Sequence, residues 1–268
     1  MISVDSMQVY RGMDIGTAKP SITERRGVPH HLIDVADPEE EFTVAEFGQL
    51  GREVMANTEG PLIICGGSGL HFRALVDPMT FAPTDELLRA ELEGRELDEL
   101  VAELILLDPR AGEHVDLANQ RRVIRALEVA TLTGETPTMR AESDEADEVR
   151  RFIPRVEFTA VGVDPGPALD DRITRRLEVM RAGGLVEEVA SLQGRLGRTA
   201  ANAVGYREIV DHLAGRLSLD EAFRLIGQNT RRLARKQRTW FQRDPRVRWI
   251  PWMDAEPDRV DTVMEIVN

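Results

Sequence analysis

Apolar and polar residues alternate over the first five positions, Ile2 and Val4 against Ser3 and Asp5. A period of two predicts a short strand that delivers Asp5 and Ser6 to its carboxyl end. A loop punctuated by Gly12, Gly16 and Pro20 follows. Thr43 and Glu46 then have capping-box spacing, which predicts a helix over 44–57. The apolar run at 61–65 predicts a buried strand, and Gly66-Gly67-Ser68-Gly69-Leu70 turns it into another helix. From 78 to 155 the pattern is charged and helical with no convincing strand, with helices expected at 85–95, 97–107 and 120–132. Gly134 and Pro137 end the last of these, and the acidic stretch 142–148 reads as an exposed loop. A strand returns at 156–163, a helix at 169–182 and a short last strand at 247–250. Strands alternating with helices predict an α/β fold. The core is expected at 1–77 and 156–268, with a helical insert at 78–155.

The helix beginning after Ser218 carries a second pattern. At 100° per residue, Ala222, Phe223, Ile226, Leu233, Trp240 and Phe241 fall on one side, and Arg231, Arg232, Arg235, Lys236 and Arg238 crowd the opposite arc. Residues 231–248 hold eight Arg or Lys and a single acid, Asp244. A solvated helix face normally mixes in acids, so this run predicts contact with a phosphate backbone. The chain as a whole carries −13, which argues against indiscriminate nucleic-acid binding. It places the weight on this one local patch.

Length and composition narrow the class without naming a reaction. With 268 residues, 42% of them apolar and 30% charged, the chain has the make-up of an ordinary globular protein with a sizeable core. No run approaches the ~18 apolar residues of a membrane span, and MISVDS has neither the basic nor the apolar region of a secretory signal. Cys65 is the only cysteine, so no disulfide can form within the chain, and a reducing cytoplasm is expected. The five histidines show no metal-ligand spacing.

Taken as residues alone, the candidate groups admit two readings each. Asp5, with Ser6, Gln8 and Tyr10 close behind it, either meets a ligand at a strand end or caps the next turn. Ser68 stands at a helix N-terminus, where anions are favoured, or is simply an N-cap. Arg172 and Arg176, four apart on one helix, share a face that either holds an anion or is surface.

The run D-S-M-Q-V-Y-R-G-M-D-I-G-T-A-K-P at 5–20, followed by GVPHHLIDV, resembles the tRNA dimethylallyltransferase (tRNA isopentenyltransferase) family. The similarity continues through GGSGL at 66–70, RALEV at 125–129, GLVEEV at 184–189, VGYRE at 204–208 and RKQRTWF at 235–241. It covers essentially the whole chain. It implies a P-loop-NTPase-like parallel sheet flanked by helices, with the inserted helical subdomain contacting tRNA. The implied reaction moves a dimethylallyl group from its diphosphate to N6 of an adenosine beside the anticodon. Asp5 would be the general base, Ser68 and Arg176 the diphosphate partners, and Arg172 a third. Implied tRNA contacts are Ser6, Met7 and Gln8, then Gln120 and Arg121 in the insert, Gly205, Tyr206 and Arg207, and Lys236, Gln237, Arg238, Thr239 and Trp240. Gln8 and Gln237 would read base edges; Tyr206 or Trp240 would stack, unless Trp240 packs in the core, which is the outcome expected for it. Mg²⁺ would arrive with the diphosphate, no protein metal site is expected, and the chain would act as a cytoplasmic monomer.

Departures from the family pattern are local. Ser68 stands where threonine is usual, His71 where tyrosine is usual, VDLAN at 115–119 replaces H-P-N-D, and Gln242 replaces an arginine. Family members also carry a P-loop, G-x-x-x-x-G-K-[ST], ahead of the first strand here. Two expectations follow: a natural protein longer by roughly one strand-loop-helix unit, which is favoured, or a truncated, poorly active form. In either case the strands at 2–4 and 62–65 are expected to flank an open slot. Prenylation of a free adenine nucleotide and a non-catalytic tRNA-binding remnant are the alternative readings.

Overall fold

The computed structural model describes residues 1–267, and its chain divides into two compact units, one of residues 1–76 and 157–268, the other of residues 77–156. In the first unit, β1 (Ile2–Val4) is fully buried and pairs in parallel with β2 (Ile64–Gly66), Ile2 opposite Ile64 and Val4 opposite Gly66. On its other edge the Ser3 N–H donates to the His31 carbonyl at 3.0 Å. A second parallel pair joins β3 (Ala160–Asp164) to β4 (Val247–Pro251), with Val163 opposite Ile250. Among the described residues no ladder connects the pairs, so the expected sheet appears as two parallel ribbons.

Two expectations are corrected here. The slot between the strands at 2–4 and 62–65 is closed, because the two are direct hydrogen-bonded neighbours. The apolar run at 61–65 is not buried either: Ile63 is 62% exposed, Cys65 is exposed, and the strand proper begins only at Ile64. Hydrophobicity states a preference for burial, whereas coverage depends on which other segments arrive. β1 is covered on both sides and β2 is not.

Helix α1 (Val44–Ala56) starts with the expected capping box: Thr43 Oγ1 accepts the Glu46 N–H at 3.2 Å and the Glu46 carboxylate accepts the Thr43 N–H at 2.7 Å. It packs along α2 (Gly69–Val76), which leaves the GGSG turn directly.

The second unit is helical throughout its described elements: α3 (Glu86–Glu93), α4 (Leu97–Leu107), α5 (Gln120–Thr133), α6 (Pro137–Ala141) and α7 (Asp144–Arg150). Leu92, Leu100, Leu104, Val123 and Leu127 form its core. Glu128, wholly buried beside that core, is held by Arg89 at 2.8 Å, Arg125 at 2.6 Å and the Asp85 N–H at 2.9 Å. These donors keep its carboxyl below the usual range against the opposing effect of burial. The acidic stretch expected as a loop is helix α7. Ser143 caps it through the Ala146 N–H at 3.1 Å, and Asp144, Glu145 and Asp147 sit in its first turn, where negative charge meets the positive end of the helix dipole.

The chain then returns to the first unit through α8 (Leu169–Ala182), α9 (Leu185–Ser191), α10 (Arg198–Ala201), α11 (Tyr206–Leu213), α12 (Leu219–Gln242) and α13 (Glu256–Val267). α8 packs on α9 and α12, and α11 packs on the same two helices. No helix among the described residues is long and apolar enough to cross a membrane.

Candidate active site

The site is built where β1 and β2 end. Asp5 leaves β1 and turns the chain back on itself: its Oδ1 accepts the Met7 N–H at 2.8 Å and the Gln8 N–H at 3.3 Å. Oδ2 takes no hydrogen bond from the described residues, so one oxygen caps the turn and the other is left available. The GGSG turn lies against the same strand end. The Ser68 N–H donates to the Val4 carbonyl at 3.2 Å, and Ser68 Oγ accepts the Ser6 N–H at 3.2 Å. Only glycine permits that approach at 66, since a Cβ there would sit 2.1 Å from the Val4 carbonyl oxygen.

Two further groups converge on Asp5. His71, in the first turn of α2, presses edge-to-face on Phe47 with ring centroids 4.8 Å apart. Burial holds its imidazole below the ordinary value, and the Asp5 charge opposes that shift. Arg176 comes across from α8; desolvation likewise lowers it and Asp5 again opposes. The residue as a whole stays exposed, so the arginine is close enough to Asp5 to feel its charge and still open to solvent. A carboxylate, a hydroxyl, an imidazole and a guanidinium are thus gathered around one strand end.

The remaining candidates divide. Arg172 stacks on Trp252 at 3.8 Å, and Arg259 stacks on the same ring at 4.2 Å. The i, i+4 pair therefore splits, Arg176 toward Asp5 and Arg172 onto an indole. Ser6 and Met7 form the Asp5 turn. Gln8 spends its amide inside the protein, its Oε1 accepting from Ser3 Oγ at 2.9 Å and its Nε2 donating to the Thr17 carbonyl at 3.2 Å; base-edge reading would require breaking these bonds. Tyr206 is fully buried, with its hydroxyl on Glu188 at 2.5 Å, which leaves no ring face for a base to stack on. Gly205 donates to the buried Glu208 carboxylate at 2.8 Å, and Arg207 pairs with the same acid at 3.3 Å.

On α12, Gln237 and Trp240 lie over the glycine turn, while Lys236, Arg238 and Thr239 are exposed. A Cβ on Gly67 would be 2.4 Å from Gln237 Nε2, and one on Gly69 would be 2.1 Å from Trp240 Nε1. Trp240 nevertheless stays 44% exposed, neither core nor free platform. The cationic arc is real but less charged than its own segment suggests, because Asp170 pairs with Arg231 at 2.5 Å and Asp164 with Arg238 at 2.7 Å. Arg235 and Lys236 are exposed and have no such partner among the described residues. In the helical unit, Gln120 donates to the Arg95 carbonyl at 3.3 Å and Arg121 is exposed, both in the first turn of α5. Among the described residues no cluster of three His, Cys, Asp or Glu is arranged to hold a metal. Sequence reasoning passed over Glu188, Trp252, Asp164 and Asp170, whose partners are far along the chain.

Parallel strands flanked by helices, with an acid and a hydroxyl at their carboxyl ends and an arginine of α8 close to the acid, define an α/β protein of the kind that binds ligands at strand ends. The family model described as IPP transferase matches residues 8–244, and the chain belongs to that family of prenyl-transferring enzymes. Among its relatives, the tRNA dimethylallyltransferase of Bifidobacterium animalis subsp. lactis is 44% identical across all of this chain and 77% of its own length. That of a Nocardioides species is 42% identical, again across all of this chain and over 87% of its own length. The full-length tRNA isopentenylpyrophosphate transferase of Bacillus halodurans superposes with a TM-score of 0.69 at 37% identity, covering 100% of this chain and 85% of that one. A eukaryotic dimethylallyltransferase acting on tRNA shares the fold, with a TM-score of 0.77 at 21% identity, covering 98% and 71%.

Proposed function

We propose that this protein transfers a dimethylallyl group from dimethylallyl diphosphate to N6 of an adenosine beside the anticodon of tRNA. The observation that supports this reading is the gathering of Asp5, Ser68 and Arg176 around the end of β1 in an IPP transferase family member. The exocyclic amine of adenine is a poor nucleophile because its lone pair is delocalised into the ring. Asp5 Oδ2 accepts a hydrogen bond from N6 and takes its proton as the new bond forms between N6 and the allylic carbon. The carbon–oxygen bond breaks with its electron pair passing to the diphosphate. Ser68 Oγ and the Arg176 guanidinium then meet the charge that develops on the leaving group. The neutral imidazole of His71 adds no second positive charge beside Asp5.

Among the described residues no cluster of His, Cys, Asp or Glu would hold Mg²⁺, which would accompany the diphosphate and help neutralise its charge. The exposed cations of α12, Arg235 and Lys236 foremost, meet the tRNA backbone, and Arg121 of the helical unit adds to that contact. Reaching the adenine requires unstacking it from the anticodon loop. The protein acts as a cytoplasmic monomer.

The test is incubation with radiolabelled dimethylallyl diphosphate, tRNA and AMP together. Label in tRNA is expected. Label in AMP instead would make this a nucleotide prenyltransferase, and retention of unlabelled tRNA would leave a binding protein without catalysis.

A further inference from the structure

Outside the groups assigned above, the Glu188 carboxylate on α9 stands out by what it holds. Its Oε2 accepts the backbone N–H of Asp14 at 2.9 Å and of Ile15 at 2.7 Å, and its Oε1 accepts the Gly16 N–H at 3.1 Å and the Tyr206 hydroxyl at 2.5 Å. Four donors on one carboxylate, three of them successive amides of a loop more than 170 residues away in sequence, form a clamp. Both neighbours of the loop are fixed as well. Tyr206 is buried, and burial together with the Glu188 contact pushes its hydroxyl far above the ordinary tyrosine value, so it stays a donor. Lys19, at the loop's far end, is pinned by Asp14 at 2.6 Å, by Asp34 at 2.5 Å and by the Tyr10 carbonyl at 2.7 Å.

What the clamped loop carries is the support for Asp5. Thr17 Oγ1 closes the loop onto the Met13 carbonyl at 2.7 Å, and the Thr17 carbonyl receives Gln8 Nε2 at 3.2 Å. Gln8, tied by its Oε1 to Ser3 in β1, in turn presents its own backbone N–H to Asp5 Oδ1. The chain of contacts therefore runs from the α9 carboxylate through the amides of 14–16, the carbonyl of 17 and the Gln8 amide to the carboxylate at the strand end. We propose that Glu188 is a positioning residue for Asp5: it aims the Asp5 carboxylate through Gln8 without touching either substrate. The inference rests on the reading of Asp5 as the general base.

The experiment is a double-mutant cycle on the full chain with labelled transfer to tRNA. Glu188→Gln keeps the shape of the side chain but places an amide NH₂ where donors already point. It is expected to lower kcat about 10- to 100-fold, the range in which small misplacements of catalytic groups act. KM for dimethylallyl diphosphate and Kd for tRNA should stay within about twofold of the parent, because the phosphate partners and α12 are untouched. Gln8→Ala should give a similar loss, and the double variant should be no worse than the worse single, since both act through one path. Losses that multiply, or a loss that falls on KM or Kd, would overturn the proposal, because a merely structural clamp predicts those results. Should Glu188→Gln fail to fold, Tyr206→Phe removes one donor of four, and the same cycle with Gln8→Ala decides. Asp5→Asn runs alongside. Full turnover there would remove the base assignment itself, whereas an inactive Asp5→Asn with multiplying Glu188 and Gln8 losses would remove only the positioning role.

Discussion

Replacing Asp5 by asparagine separates its two jobs. Oδ1 remains an acceptor for the Met7 and Gln8 amides, now at 2.8 and 3.3 Å, so the turn keeps its shape. Oδ2, the oxygen without a partner among the described residues, becomes an NH₂ that can accept no proton. A positioned general base contributes ~10²–10⁴ in rate, which at ~1.4 kcal/mol per tenfold is roughly 3–5 kcal/mol of transition-state stabilisation. Structural loss should be much smaller. A hydrogen bond to a charged acceptor contributes ~1.5–3 kcal/mol against ~0.5–1.5 for a neutral one, so the short Met7 bond weakens by about 1 kcal/mol and the long Gln8 bond by less. For a chain of this size that lowers Tm by only ~2–4 °C. Single-turnover transfer from labelled dimethylallyl diphosphate to tRNA measures the first quantity, thermal unfolding the second, and filter binding the tRNA affinity. The expected result is a rate at least 100-fold lower, a small Tm change and a Kd within about twofold. Transfer within threefold of the parent would refute the reasoning, as would a rate loss fully matched by loss of tRNA binding.

Three further outcomes follow from the same geometry. Arg176→Ala should cut kcat/KM for dimethylallyl diphosphate by ~10- to 100-fold, the loss of one charge-assisted contact at ~1.5–3 kcal/mol; an effect seen only in the KM for tRNA would contradict it. Gly66→Ala places a Cβ 2.1 Å from the Val4 carbonyl oxygen, so the turn must move off β1, and circular dichroism melts should show a loss of several degrees together with activity. His71 has a folded-state value below its ordinary 6.5 because burial disfavours the imidazolium. Its contribution is therefore neutral above that pH, and stability falls as the pH drops below it, when the unfolded chain takes up a proton more readily. His71→Phe, which keeps an aromatic ring beside Phe47, should make the change in Tm between pH 7.5 and 5.5 smaller; an equal or larger change would exclude His71 as its source.

What was legible in the sequence, and what was not, follows from how far apart the deciding partners lie. The capping box at Thr43 and Glu46 and the bounds of the helix at 169–182 depend on neighbours within four residues, and they stand as expected. The exposure of the 61–65 run and the helix within 142–148 went the other way, the first because coverage is a tertiary matter, the second because acids that look loop-like also suit a helix N-terminus. Arg172 and Arg176 are indistinguishable by spacing. Trp252, some eighty residues on, captures one and leaves the other to Asp5. The α12 arc shows the same limit in charge: its own segment holds one acid, but Asp164 and Asp170 arrive from β3 and α8 to pair two of its arginines. Those two pairs also say where the tRNA contact should be strongest. An arginine already holding an aspartate gains little from a phosphate, because it must exchange one partner for the other, whereas Arg235 and Lys236 exchange only water and counter-ions. Removing either of the latter should therefore flatten the salt dependence of tRNA binding by close to one unit of slope, and Arg231→Ala or Arg238→Ala by distinctly less.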